Sequence, residues 1–399
     1  SGSPIQHVIF IVQENRSFNN LFMGYPNALT QNYGYDSSGN RIALHPQSFA
    51  EGWDIDHSAT AFFTAFDHGK LDGWNNERAC CGKIPNDFAY GYVPRRLVRP
   101  YWQMAGQYVL ADHMFQSNLD GSFIAHQYVI AGYASHAVNF PSSVWGCPGG
   151  PNDVVTTLNP NRSYGPSISA CFDNQTIGDE MDQAGLSWKF YTASLNGNGN
   201  LWSSYQAIAH IYNGPDWSAD VIDPQSRFVS DVANGQLANV TWITPTFGNS
   251  DHTGGGSNSG PAWVSSLVNA VGKSSFWNSS AIFIIWDDWG GWFDPVKPVY
   301  RDYDGLGFRI PMLVISPYAK QGVVAHRQYE TSSVLKFIED TFGLPSLAAS
   351  DARALDPAAE ALDFTQQPRA FQPFASARPL QYWRMQPATR SARTPAFGD

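Results

Sequence analysis

Lysine and arginine are scarce in this chain, 24 among 399 residues against 34 acidic ones, which leaves a formal net charge of -10. Nucleic-acid affinity rests mainly on clustered cations, so the composition argues against a phosphate-backbone binder. An anionic substrate must be met locally, by a metal ion or a few placed groups. No apolar run approaches the ~18 residues that a membrane-spanning helix needs, which argues against a transmembrane segment. The opening Ser1-Gly2-Ser3-Pro4 has neither the charged n-region nor the apolar h-region of a signal peptide. A GxxxxGK[ST] phosphate loop, an internal repeat and a clear linker are missing as well.

Cysteine is rare, and Cys80, Cys81, Cys147 and Cys171 lack the paired CxxC pattern of a zinc site. An even cysteine count in Gly/Pro/Asn-rich sequence, with few lysines, is expected of a disulfide-bonded protein, secreted or periplasmic, whose signal peptide has been removed. A bond between the neighbours Cys80 and Cys81 would close a strained ring, so both are expected to pair with Cys147 and Cys171.

What the chain does have is apolar sequence, 43% of it, enough to fill a sizeable core. Apolar, β-type runs at 7–13, 108–111, 187–191, 240–244, 281–286 and 312–316 alternate with helical spacing at 122–131, 177–184, 259–271 and 331–342. Thr331 and Ser332 are expected to cap the last helix. Such alternation predicts an α/β fold with a doubly wound, mainly parallel sheet flanked by helices. The long aperiodic stretches 25–49, 75–93 and 141–174 are expected to be insertions that wall the site, and 196–200 a short Asn/Gly turn. The chain reads as a single domain over 1–399, with a core at about 5–345 and a tail, 346–399, packed on the surface and disordered at its end.

Chemistry concentrates at strand ends. The first apolar run delivers Glu14-Asn15, and the run at 281–286 delivers Asp287-Asp288. Adjacent acids repel, and a hard divalent cation with oxygen ligands is the usual compensation. A Gly121-Ser122 step opens a helical pattern and places a hydroxyl in the positive potential of a helix N-terminus. Asp-His pairs occur at Asp56-His57, Asp112-His113 and Asp251-His252, with His126 a further imidazole. His252 follows a strand and precedes three glycines that allow close backbone approach to a ligand.

Glu14-Asn15-Arg16-Ser17-Phe18, Gly69-Lys70-Leu71-Asp72-Gly73, Ser250-Asp251-His252, the run Trp286 to Asp294 and the run Thr331 to Glu339 resemble, in order, the motifs of the bacterial phosphoesterase family that unites phospholipases C with acid phosphatases. The resemblance implies an alkaline phosphatase-like fold. It further implies one divalent metal ion, of unspecified identity, held by Glu14, Asn15, Asp287 and Asp288. Ser122 would be the nucleophile that forms a phosphoseryl intermediate, with His57, His252 and His126 around the phosphate. Two positions depart from the family: Asn19 stands where Asp is usual, and Pro295 where Asp294 is commonly followed by His. Because the chain stops soon after the catalytic part, a phosphomonoesterase of the acid phosphatase type acting on a small phosphate ester is expected. A phospholipase C is the alternative, with Trp145, Trp202 and Trp217 touching a lipid surface. A non-catalytic metal- or phosphate-binding protein would require purely structural carboxylates.

Overall fold

The computed structural model describes residues 2–141, 144–193 and 202–385. Eight strands form the central sheet: β1 (His7–Gln13), β2 (Val109–Ala111), β3 (Trp188–Tyr191), β4 (Val221–Ile222), β5 (Val240–Ile243), β6 (Ser280–Trp286), β7 (Met312–Ile315) and β8 (Val323–Ala325). Their order is β4-β3-β5-β1-β6-β7-β2-β8. All neighbours pair in parallel except β7, which runs antiparallel to β6 and β2. The six strands expected from the sequence are present, each boundary within one residue. The edge strands β4 and β8 were not expected; two and three residues long, they carry too little periodicity to be seen and leave little unpaired edge.

Every residue of β6 is buried, and so is β1 beyond His7, as befits strands covered on both faces. Around the sheet lie α1 (Phe18–Phe22), α2 (Ala59–Phe66), α3 (Arg95–Gln107), α4 (Ser122–Ala131), α5 (Ile177–Gln183), α6 (Gly260–Gly272) and α7 (Thr331–Phe342), among other helices. Helix α3 was not expected. Pro100 and three arginines mask the stripe of Val98, Tyr101, Met104 and Ala105 that it buries. At α7 the cap is Glu330, not Thr331 or Ser332: Glu330 is extended, and its N–H donates to Ser333 Oγ at 3.0 Å.

The cysteine expectation is corrected. The disulfides are Cys80–Cys81 and Cys147–Cys171, because the two loops carry their cysteines to separate places. The lipid-contact expectation for the tryptophans also fails in part: Trp145 and Trp202 are buried, and Trp217 is half-buried against Tyr212. The loops at 25–49 and 75–93 contribute Leu44, Ala89 and Tyr90 to a second apolar cluster around Trp74, Trp289, Trp292, Phe293 and Phe308. That cluster buttresses the segment after β6.

The tail is packed against the rest of the chain as far as residue 385. Phe374 exchanges two hydrogen bonds with Asn269, Arg369 donates to the carbonyls of Gln107 and Ala319, and Trp383 is buried. The expected turn at 196–200 and the end of the tail lie outside the described residues.

Candidate active site

Parallel pairing sets the geometry. Gln13 of β1 is in register with Trp286 of β6, so Glu14-Asn15 and Asp287-Asp288 leave the sheet side by side. Asn15 adopts the left-handed conformation, φ 59°, which asparagine tolerates better than most residues. This bend aims its N–H at Asp287 Oδ1, 3.0 Å away. A Cβ at Gly290, φ +66°, would sit 2.0 Å from the Asn15 carbonyl oxygen, so the close approach of the two strand ends requires glycine there.

Ser122 occupies the first turn of α4, whose N–H groups supply the positive end of the helix dipole. Its hydroxyl lies 3.0 Å from Asp288 Oδ2, 3.3 Å from Glu14 Oε2 and 3.1 Å from the Asn15 side-chain oxygen. One turn later on the same helix face, His126 Nε2 is 2.8 Å from Glu14 Oε1 and 3.4 Å from Asp287 Oδ2. Its Nδ1 is buried with no hydrogen-bond partner among the described residues. The helix is buried on all sides, so both side chains reach the cluster without solvent. Burial would push the Asp287 carboxyl up, but the hydrogen bond and charge of His126, with contacts to Glu14 and Ser122, bring it down to about 2.

The remaining imidazoles sit across Asn15. His57 Nδ1 donates to the Ile55 carbonyl at 2.7 Å and His252 Nδ1 to the Thr253 carbonyl at 2.5 Å, so in the neutral rings both Nε2 atoms are acceptors. Both approach the end of the Asn15 amide at 2.8 Å. With its NH2 turned to these acceptors, the amide presents its oxygen to Glu14, Asp287 and Ser122, making an all-oxygen nest. In the opposite orientation the NH2 would donate to those oxygens at 2.8–3.1 Å, but both imidazoles would have to be protonated at Nε2.

The nest is where a cation fits. Three buried carboxylates converge there, and a protonated His126 would offset only one charge. Oxygen donors from Glu14, Asn15, Asp287 and Asp288 suit a hard divalent ion, and Glu14, His126 and Asp287 also have ligand atoms mutually close enough to share one. His126 thus stands with the carboxylates, apart from the His57–His252 pair, whose rings are 5.6 Å apart and edge to face.

Several positioning residues escape a motif reading. The Gln13 side chain accepts from the N–H groups of Glu14 and Asp251, both at 3.0 Å, and donates to the Asn249 carbonyl, fastening the His252 loop to β1. Asp251 completes the fastening, its Oδ2 accepting from Tyr101 at 2.7 Å and Trp286 at 3.0 Å. Asp120 accepts from the Ala59 N–H at 2.7 Å and joins the His57 loop to that of Ser122. Trp202 lies flat against His252, ring centroids 6.1 Å apart. A polar residue ending an apolar strand is a weak signal for Gln13; Trp202 left none.

The departure at Asn19 is compensated. Its side chain both donates to the Gln31 carbonyl and accepts from the Gln31 N–H, a pairing an aspartate lacks the donor to make. Asp294 accepts from the Asn19 N–H at 3.0 Å and forms a buried ion pair with Arg309 at 3.1 Å.

The chain is similar to several known proteins. Phospholipase C B of Mycobacterium tuberculosis is 25% identical over 419 residues, covering 86% of this chain and 74% of that protein. A non-hemolytic phospholipase C of Burkholderia pseudomallei is 24% identical over 85% of the chain, which spans 55% of that protein's length. Among solved structures, a protein of the alkaline phosphatase superfamily from Vibrio parahaemolyticus is similar at a TM-score of 0.43, with 11% identity over 89% of this chain and 71% of that one. The model of the Phosphoesterase family matches residues 5–345, a span that takes in both carboxylate pairs, Ser122 and the three histidines; the chain belongs to the Phosphoesterase family and is a phosphoric-ester hydrolase.

Proposed function

We propose that this hydrolase is a phosphomonoesterase acting through a phosphoseryl intermediate on Ser122. The observation that carries the reading is the convergence of the Ser122 hydroxyl, at the N-terminus of α4, with Asp288, Glu14 and Asn15. Glu14, Asn15, Asp287 and Asp288 would hold a divalent ion, whose chemistry is to stabilise charge on the phosphoryl oxygens and lower the serine pKa. Ser122 Oγ gives its proton to Asp288 Oδ2, 3.0 Å away, which returns it when the phosphoserine is cleaved, and attacks phosphorus in line, forming the O–P bond as that to the leaving alcohol breaks. The N–H groups of the first turn of α4 hold the phosphoryl oxygens. His57 or His252, fixed at Nδ1 by a backbone carbonyl, enters the step as the imidazolium and gives its Nε2 proton to the leaving oxygen. The same imidazole then accepts one from the water that cleaves the phosphoserine. His126 acts through Glu14 and Asp287, holding their carboxylates in place.

Burial of every one of these side chains favours a compact dianionic group over a bulky diester. A phospholipase C activity is the second reading, favoured by the similarity to proteins of that name. Burial of Trp145 and Trp202 leaves only Trp217 of the three tryptophans expected to touch lipid. The disulfides support an exported, secreted or periplasmic protein. No helix among the described residues is long and apolar enough to cross a membrane.

The test is the ratio of kcat/KM for an aryl phosphate to that for an aryl phosphocholine, from pH 5 to 8 with saturating metal. A ratio above one supports the monoesterase; a ratio below one throughout establishes the diesterase reading, with Ser122 and the metal site unchanged.

A further inference from the structure

Asp112-His113 is an Asp-His pair that the catalytic site leaves unused. Strands β2 and β8 are parallel, with Ala111 opposite Ala325, so the residues following them, Asp112 and His326, emerge as neighbours at the same sheet edge as the active site. Since β2 lies three strands from β1, the separation across the sheet is roughly 14 Å. The Asp112 carboxylate is buried, while the side chains of His113 and His326 are 30% and 59% exposed. Both imidazoles turn Nδ1 towards the same oxygen: Oδ1 of Asp112 is 2.7 Å from His113 Nδ1 and 2.9 Å from His326 Nδ1. The three ligand atoms lie within 4.8 Å of one another.

We propose that Asp112, His113 and His326 form a second metal site, distinct from the catalytic one, that takes Zn2+ or a similar borderline divalent ion. Two imidazole nitrogens and one carboxylate oxygen favour such an ion over Mg2+ or Ca2+. Ligand atoms of a tetrahedral zinc site stand roughly 3.3 Å apart for bonds of about 2.0 Å, a small outward movement of two solvent-accessible rings. The carboxylate is already oriented, because its other oxygen accepts from the Leu29 N–H at 2.9 Å. The backbone is also fixed: Arg309 Nη1 donates to the carbonyls of Leu29 at 2.7 Å and Asp112 at 2.8 Å, and the Tyr329 N–H donates to the His113 carbonyl. Arg309 also pairs with Asp294, so an ion here ties the outer strands to the segment that follows the catalytic aspartates. Its effect is therefore on stability, with the chemistry left to the other site.

The experiment equilibrates the full chain with Zn2+, removes loosely bound ion by gel filtration and measures zinc per chain by mass spectrometry, with Tm recorded with and without Zn2+. His326→Ala and His113→Ala should each bind one zinc fewer than wild type and lose part of the zinc-dependent rise in Tm, while kcat/KM for an aryl phosphate stays within about twofold. Asp288→Asn should keep this zinc. An unchanged zinc count in either histidine variant, each folded by circular dichroism, overturns the proposal.

Discussion

The hydroxyl of Ser122 stands 3.0 Å from Oδ2 of Asp288, although the two residues are 166 positions apart in the chain. The contact joins a helix N-terminus to a strand end, which brings a nucleophile, a cluster of carboxylates and a set of helix dipole N–H groups to one point.

Asp287→Asn and Asp288→Asn should each lower kcat by about a hundredfold or more, because charge stabilisation around the phosphoryl group weakens. Bound metal should fall in parallel. Elemental analysis alongside turnover checks this, and full metal content with near-wild-type turnover in either variant would remove that residue from the site.

Gln13→Leu keeps the bulk of the side chain and deletes its three hydrogen bonds, two of which fasten the His252 loop to β1. Buried N–H groups of Glu14 and Asp251 would lose their acceptor, so denaturant unfolding should report a loss of about 2–4 kcal/mol. A loss under about 0.5 kcal/mol would show that the loop holds itself.

Asp251 gives a pH dependence with a defined sign. Burial, only partly offset by Tyr101, Arg16 and Trp286, pushes its carboxyl up to about 7. The unfolded chain releases this proton near pH 4 while the folded chain keeps it to about 7. Between those values the native state binds more protons, so this contribution to stability is present at pH 4 and lost as pH rises to 7, on the order of 4 kcal/mol in all. Asp251→Asn retains an acceptor for Tyr101 and Trp286 and should flatten that slope. Equal slopes in the two proteins would show that Asp251 is ionised throughout.

Alkylation without reductant should label none of the four cysteines, and peptide mapping should recover Cys147 linked to Cys171. The loop closed by that bond spans 24 residues, so Cys147→Ser should cost about 3 kcal/mol. Labelled thiols at either position would contradict the pairing.

The parts of the fold legible in the sequence were those with an uninterrupted local signal. The runs that became β1 and β6 are apolar throughout because both sheet faces are covered, and helices α4 and α7 carry their expected bounds to the residue. Helix α3 was hidden because Pro100 and arginines interrupt its stripe, and the cysteine pairing because chain proximity is a tertiary property. At the site, residue identities were readable while positions were not. Nothing local distinguishes His126, behind the carboxylates, from His57 and His252, which face Asn15. The stacking of Trp202 on His252 joins segments 50 residues apart and has no counterpart in either.

Ser122 as the covalent nucleophile is the role on which the proposed chemistry turns. Rapid acid quench of the enzyme with an aryl phosphate, followed by peptide mass spectrometry, should place a phosphoryl group on the peptide containing Ser122. Ser122→Ala should show neither the phosphopeptide nor turnover, with fold and metal content intact. A phosphopeptide mapping to Ser117 or Ser250, or sustained turnover by Ser122→Ala, would contradict it.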